Sequence, residues 1–418
     1  MAPASARERF GGLGSLLVLS LGVHFLLEDG IAGPHGQFPR PLAEQAPART
    51  PKLVAGTWEI RGAMQIYGGV AINGNLRFFG ASDDIVRAVD IATGKTYWEY
   101  VEQEHAQPIG LDRTTGDVYV DGPDELAKID VRAGRIRWSR PTPGYFPIEH
   151  AIVSDAGTLV IIDDTGDMTG IDPVTGRNRW RSGYRCHGFT RSSVVIGGTL
   201  VMACGRNEIV RGIDLATGEE RWQKAFAEFH PDKPAFRFWE SVVLEAGRGR
   251  VALAAEGGFG LLDPATGKMI RRHVTKGERT VAFNGAMRIS SCALGKTSGM
   301  CANDADTGKR LWSSPFPGSL SGYVTGEPPK NVYAVVADGR VYCLSPVGSP
   351  KGEVDQITVL DLRTGRRLTN WSLDGRTTGP DPLTIADGVV AVRLGLSQTV
   401  GLYADRPDLR GFRPLFLQ

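Results

Sequence analysis

Seven copies of a unit of the form Asp-x-x-Thr-Gly-(Lys/Arg)-x-x-Trp run through this chain of 418 residues. Repetition at a period near 40 residues commits a sequence to like units packed on one another, because one such unit cannot bury its own apolar surface. The first copy is Asp90, Thr93, Gly94, Lys95 and Trp98; the second is Asp130, Gly134, Arg135 and Trp138, with Ala133 in the Thr place. Asp172, Thr175, Gly176, Arg177 and Trp180 follow, then Asp214, Thr217, Gly218 and Trp222, with Glu219 in the basic slot. The fifth copy, Asp263, Thr266, Gly267 and Lys268, has Arg271 where the Trp is expected. Asp304, Thr307, Gly308, Lys309 and Trp312 restore the pattern. The last copy is Asp361, Thr364, Gly365 and Arg366, with Thr369 at the Trp place and Trp371 two residues on.

Each part of the unit has a physical task. Short apolar runs such as Val86 to Val89, Met168 to Ile171 and Ile357 to Leu360 precede the Asp and read as strands. The Asp carboxylate can accept from backbone amides two or three residues on and so close a turn. The Gly supplies the positive φ of that turn, and the Trp on the following strand can pack against the neighbouring unit. Four short strands per unit, stacked radially, bury both sheet faces and leave only short edges, which predicts an all-β propeller. Eight blades are expected over residues 54–418. Seven carry the motif; the eighth takes two strands from Leu383 to Arg393, a third from Thr399 to Asp405, and a fourth from Val54 to Ile60 around Trp58. Seven blades with an irregular C-terminal extension is the alternative.

The unit resembles the repeat of the pyrroloquinoline-quinone-type (PQQ-like) β-propellers, whose tryptophan-docking motifs tie successive blades together. That superfamily holds quinone-dependent dehydrogenases and cofactor-free scaffolds alike, so the resemblance implies the fold and leaves function open. Membership among the dehydrogenases would imply a quinone over the ring axis, a Ca²⁺ ion on acidic and amide side chains, a catalytic Asp and a disulfide between adjacent Cys. No two Cys are adjacent here. In repeat and size the chain is similar to the non-catalytic propellers of outer-membrane barrel assembly. WD40 repeats have a similar period, but no Trp-Asp dipeptide occurs.

Residues 1–30 read as a signal peptide or signal-anchor helix. Arg7 and Arg9 precede an apolar run from Gly11 to Leu27, interrupted by His24 and followed by Glu28 and Asp29. No Ala-x-Ala site follows, which favours an uncleaved anchor; a buried helix of the domain is the other reading. Residues 31–53 are a Pro/Ala/Gly-rich linker. The expected protein is exported, facing outside the cytoplasm on a membrane anchor or secreted, and a monomer. A lipid-modified N-terminal Cys is not expected, because the five Cys fall at 186, 204, 292, 301 and 343. Cys186 with Cys204 and Cys292 with Cys301 can form disulfides in an oxidising compartment, or all can remain buried thiols.

With a formal net charge of +2, the chain gives no electrostatic case for a nucleic-acid partner. The seven His show no ligand spacing, and Asp163, Asp164 and Asp167 lack that of a Ca²⁺ loop. No catalytic or metal residues are assigned and no cofactor is expected, with PQQ and Ca²⁺ as the alternative. The segments joining one blade to the next carry Tyr145, Phe146, Tyr184, Arg185, Phe226, Phe229, His230, Phe236, Phe238, Phe316 and Tyr323. Aromatics and Arg gathered on one face suit a protein-binding surface; capping of the blade cores is the competing role. The reading is a non-catalytic scaffold that binds another protein through that face. The alternatives are a PQQ/Ca-dependent oxidoreductase and a sensor of a small ligand in the axial funnel.

Overall fold

The computed structural model describes residues within 70–403, apart from short stretches between strands and the longer segments 142–149, 230–242, 317–331 and 373–382. These residues form seven four-stranded sheets and one three-stranded sheet, all antiparallel, each sheet in chain order. Sheet one runs from Val70–Asn73 to Thr96–Val101, sheet two from Gln107–Leu111 to Ile136–Pro141, and sheet three from His150–Val153 to Asn178–Arg185. Sheet four runs from Phe189–Ile196 to Glu220–Ala225, sheet five from Val243–Gly247 to Met269–Val274, and sheet six from Glu278–Phe283 to Arg310–Pro315. Sheet seven spans Tyr333–Ala337 to Arg367–Ser372, and the three-stranded sheet eight spans Leu383–Ala386 to Gln398–Tyr403. Among the described residues the single helix is Phe226–Phe229.

First strands lie beside first strands: sheet one with two, two with three, four with five, five with six, six with seven and seven with eight. The first strand of sheet eight lies beside that of sheet one. Apolar side chains fill the spaces between successive sheets. Val86 and Ala88 of sheet one meet Val118, Val120, Ala127 and Ile129 of sheet two. The opposite face of sheet two presents Tyr119 and Leu126 to Leu159, Ile161 and Ile171 of sheet three. Strand residues therefore alternate between two neighbours, and both faces are apolar, as radial stacking requires. This is a β-propeller. The third strand of sheet eight is Gln398–Tyr403; Val54 to Ile60, the segments 1–30 and 31–53, and Gly94 lie outside the described residues.

The repeat closes the turn between third and fourth strands. Asp172 Oδ1 accepts from the amides of Val174 and Thr175, both at 2.9 Å, while Gly176 N donates to the Asp172 carbonyl at 2.8 Å. Gly134, Gly176, Gly218, Gly267, Gly308 and Gly365 all take positive φ, between 64° and 75°. Just past the turn the pairing slips by one residue in each of sheets one to seven. This bulge aims the next large side chain at the following sheet. The indole nitrogens of Trp98, Trp138, Trp180, Trp222 and Trp312 donate to the carbonyls of Val131, Pro173, Leu215, Pro264 and Leu362, at 2.8–3.0 Å. Each ring also covers the motif Gly of the next sheet; a Cβ on Gly218 would lie 2.4 Å from Trp180 Cε3.

At the off-pattern fifth copy the docking role passes to His273, not to Arg271, which is exposed. His273 Nε2 lies 3.0 Å from the Ala305 carbonyl, at which distance its N–H donates, and its ring covers Gly308. His273 is two residues beyond Arg271 on the same strand face. Trp371 stands in the same displaced place in the last copy and packs against Leu383, Ile385 and Val390 of sheet eight.

Candidate partner-binding face

Antiparallel order fixes which connections share an end of the molecule. Motif turns and first-to-second strand turns emerge at one end; segments linking successive sheets and second-to-third strand turns emerge at the other. Of the segments singled out above, the described parts lie at this second end, the linker face: Tyr184 and Arg185 close sheet three, Phe226 and Phe229 follow sheet four, and Phe316 follows sheet six.

The described residues correct part of that surface. Phe229 is only 3% exposed: with Phe226 it forms the short helix after sheet four and packs on Trp222, Val194 and Leu244. Phe316 is buried against Trp312 and Val332 between sheets six and seven. These three rings cap inter-sheet cores, because a link leaving an outer strand must cross the open end of an apolar cleft to reach the next inner strand. Tyr184 and Arg185 end the fourth strand of sheet three, on the linker face. Tyr145, Phe146, His230, Phe236, Phe238 and Tyr323 lie outside the described residues. One structural protrusion was not foreseen. In sheet seven the second and third strands pair over ten residues each, Arg340–Ser349 with Gly352–Asp361. The first strand pairs only to Leu344 and the fourth only from Gln356. A two-stranded hairpin rooted at the Ser345–Gln356 pair therefore projects on the linker face.

Cys292 and Cys301 form a disulfide across the second and third strands of sheet six, with Cα atoms 6.0 Å apart. Cys204 is also disulfide-bonded; Cys186, its partner in the sequence reading, lies outside the described residues. Cys343 is a free buried thiol whose pKa burial pushes up. Asp163 closes its own turn, accepting from Asp167 N at 2.9 Å and donating its amide to the Asp167 carbonyl.

Charged groups inside the propeller are paired with few exceptions. In sheet two, Lys128 Nζ lies 2.5 Å from Asp112 Oδ2 and 3.8 Å from Asp117 Oδ2, and donates to the Pro173 carbonyl of sheet three at 3.0 Å. Burial pushes the Asp112 carboxyl up, but bonds from Lys128 and Thr114 outweigh it and hold the pKa at about 2. On the face of sheet six turned to sheet five, Glu278 binds both Arg288 and Arg310 and accepts from Asn303 Nδ2 at 2.8 Å. Burial works against that carboxylate, and the two guanidinium groups still keep its pKa below the usual range. Glu245, on the first strand of sheet five, accepts from Phe283 N of sheet six. The residue as a whole is half-buried, but its carboxyl is enclosed, and burial pushes its pKa up to about 8.

Sheet seven holds a cluster of a different kind. Ser345 Oγ, Gln356 Oε1, Thr358 Oγ1 and Asn370 Oδ1 are buried without a hydrogen-bond partner. An unsatisfied buried polar group costs about 1–3 kcal/mol, so four together would offset a large share of a domain's net stability. No spacing in the sequence marks this cluster or the Glu278 network; alternation alone would have assigned these positions to apolar packing.

Among the described residues no group of three or more His, Cys, Asp or Glu could hold a metal ion, and the Cys292–Cys301 pair is nine residues apart.

The family model described as "Outer membrane protein assembly factor BamB" matches residues 55–149 and 147–349. A curated relative of that description from Alkalilimnicola ehrlichii is 32% identical over 117 residues, 28% of each chain. A Streptomyces griseus serine/threonine-protein kinase, AfsK, is 27% identical over 138 residues, 30% of this chain and 17% of that protein. The matches thus span under a third of either relative. Among solved structures, BamB from Moraxella catarrhalis superposes with a TM-score of 0.58 at 14% identity, covering 84% of this chain and all of that one. The quinohemoprotein alcohol dehydrogenase of Comamonas testosteroni gives 0.56 at 14% identity, covering 88% and 77%. At such identities the structural likeness establishes the fold.

Proposed function

This chain belongs to the outer membrane protein assembly factor BamB family, and on that premise we propose that it is a non-catalytic, exported scaffold which binds another protein through its linker face. The observation that carries the reading is the segregation of the two ends. The motif Asp, Gly and Trp residues are consumed in closing turns and docking sheets, which leaves recognition to the segments and hairpin at the opposite end. The proposal includes eight blades, with the first strand of sheet eight beside that of sheet one and Val54 to Ile60 completing sheet eight. It also includes an N-terminal segment that carries the chain out of the cytoplasm and, if uncleaved, holds it at the membrane.

Surface aromatics on the linking segments would anchor the partner. With Phe229 placed in the core, Tyr145, Phe146, Phe236, Phe238 and Tyr323 are the residues to test. Full-length protein cross-linked in envelopes should capture a discrete partner, Phe236→Ser with Tyr145→Ser should lose it, and Lys268→Glu on the opposite end should keep it. Equal capture by all three would sink the linker-face reading. The fold likeness to a quinohemoprotein alcohol dehydrogenase supports a second reading as a redox protein. Saturable binding of PQQ in the presence of Ca²⁺, read by quinone absorbance, would favour it over the scaffold.

A further inference from the structure

Seven large apolar side chains are exposed among the described residues, and five of them gather at the turn end: Tyr97, Ile136, Val174, Ile270 and Leu311, each 43–79% exposed. Val174 stands inside the motif turn of sheet three, and Ile136 opens the fourth strand of sheet two. Tyr97, Ile270 and Leu311 share one place in the repeat, seven residues after the motif Asp. In sheets two to four that place holds Arg137, Arg179 and Arg221, each of which reaches back to the Asp of its own turn. The position therefore lies against the turn, and where it is apolar the side chain is left to solvent. Cations stand beside these tips. The motif's basic slot puts exposed Arg135, Arg177, Lys309 and Arg366 on the same kind of turn, while the motif carboxylates are turned back onto the amides of their own turns. Sheet four breaks both halves of the pattern together: Glu219 fills its basic slot, and its turn carries no exposed large apolar side chain.

We propose that the turn end docks on an anionic lipid bilayer, its apolar tips entering the headgroup layer and its basic slots meeting lipid phosphates. Two features select a bilayer over a protein. A protein anchor is a packed, central group of rings, whereas these tips are spread one to a sheet. Successive turns are related by rotation about the ring axis, so their tips reach a common level and suit a broad, flat partner. The second feature is chemical: a cation beside an apolar tip matches a surface that is anionic outside and apolar beneath. Chain length permits the arrangement. The 42 residues between Leu27 and Val70 span roughly 70 Å even at half extension, against about 20 Å for a six-residue strand. An apolar N-terminal segment in the membrane is therefore compatible with a first strand that starts at the far end. The surface lies opposite to the linker face, so the inference does not rest on protein binding there.

Spin labels on the full chain provide the test. Val174→Cys carries the label at the turn end; Gly183→Cys, exposed near the linker end of the fourth strand of sheet three, is the control. On phosphatidylcholine vesicles with about 30% phosphatidylglycerol, the Val174 label should lose contact with a water-soluble nickel chelate and gain contact with oxygen, which concentrates in lipid. The Gly183 label should stay in water. Phosphatidylcholine alone should change neither label, whether or not the N-terminal segment tethers the chain to both kinds of vesicle. Raising NaCl from about 0.1 M to about 0.5 M should release most of the contact. Arg135→Glu, Arg177→Glu and Arg366→Glu together should weaken it by at least about tenfold, with an unchanged melting curve as the check on folding. A Val174 label that stays in water on anionic vesicles, or is shielded equally on neutral ones, would overturn the proposal. So would shielding that needs no vesicle and rises with protein concentration, which would make a second copy of the chain the occupant. None of these readouts involves a partner protein, so the linker-face reading stands or falls separately.

Discussion

At the scale of single residues, the joint between sheets is one aromatic ring pressed on one glycine. Trp180→Ala empties a buried site and removes the bond to Leu215, so a loss of about 3–5 kcal/mol is expected in urea denaturation. His273→Ala should cost roughly 1–3 kcal/mol, since it loses a smaller, partly buried ring and one hydrogen bond, and Arg271→Ala should stay within about 0.5 kcal/mol. Equal losses at all three would refute the transfer of the dock to position 273. Gly218 and Gly197 both take positive φ, but a Cβ at 218 meets the Trp180 ring and one at 197 meets nothing within 4 Å. Gly197→Ala should therefore cost only the backbone strain, about 1–2 kcal/mol, and Gly218→Ala distinctly more. Asp, Gly and most Trp positions are readable from the amino-acid string because a turn and a ring stack are local in sequence. The role of His273 is not, since it depends on strand parity after a bulge and on which ring happens to reach Gly308.

At the scale of sheets, charge placement separates one interface from another. Glu278→Ala would leave Arg288, whose side chain is 5% exposed, without its counter-charge, and a loss of about 3–5 kcal/mol is expected. Asp306→Ala breaks a pair with Arg250 in which the Asp side chain is half exposed, and should cost less than about 1 kcal/mol. Acidity gives a second handle. Asp112 has a pKa of about 2, against 3.8 for an unperturbed Asp. Its contribution, on the order of 2 kcal/mol, is present above pH 3.8 and disappears as pH falls through 2; Asp112→Asn should flatten that acid limb. Glu245 runs the other way: with its pKa raised from 4.5 to about 8, its share is full below pH 4.5 and declines as pH rises to 8. Glu245→Gln should remove that decline in pH-dependent chemical denaturation. Buried networks of this sort leave no trace in the repeat, because their residues come from strands that pair across turns of varying length, such as Glu278, Arg288, Asn303 and Arg310.

For the whole molecule, the motif and its period anticipate four-stranded antiparallel sheets and the relation to PQQ-like propellers, and turn signals after the last motif anticipate three strands of the irregular last sheet. The surface read from the linking segments fared differently. In sequence, Phe226, Phe229 and Phe316 fit either exposed anchors or caps of the blade cores, because a ring in a loop is ambiguous until the cleft beneath it is known. Their burial shows that a link can be apolar for the sake of the core it crosses. The division between turn end and linker end has a consequence for how such a chain changes over time. A link of eight residues between Pro141 and His150 and one of seventeen between Pro315 and Tyr333 are served by the same docking geometry. Length and composition at that end can drift, duplicate or acquire insertions while every ring-on-glycine joint stays in place, so new binding specificities are open to this scaffold without a renegotiation of its interior.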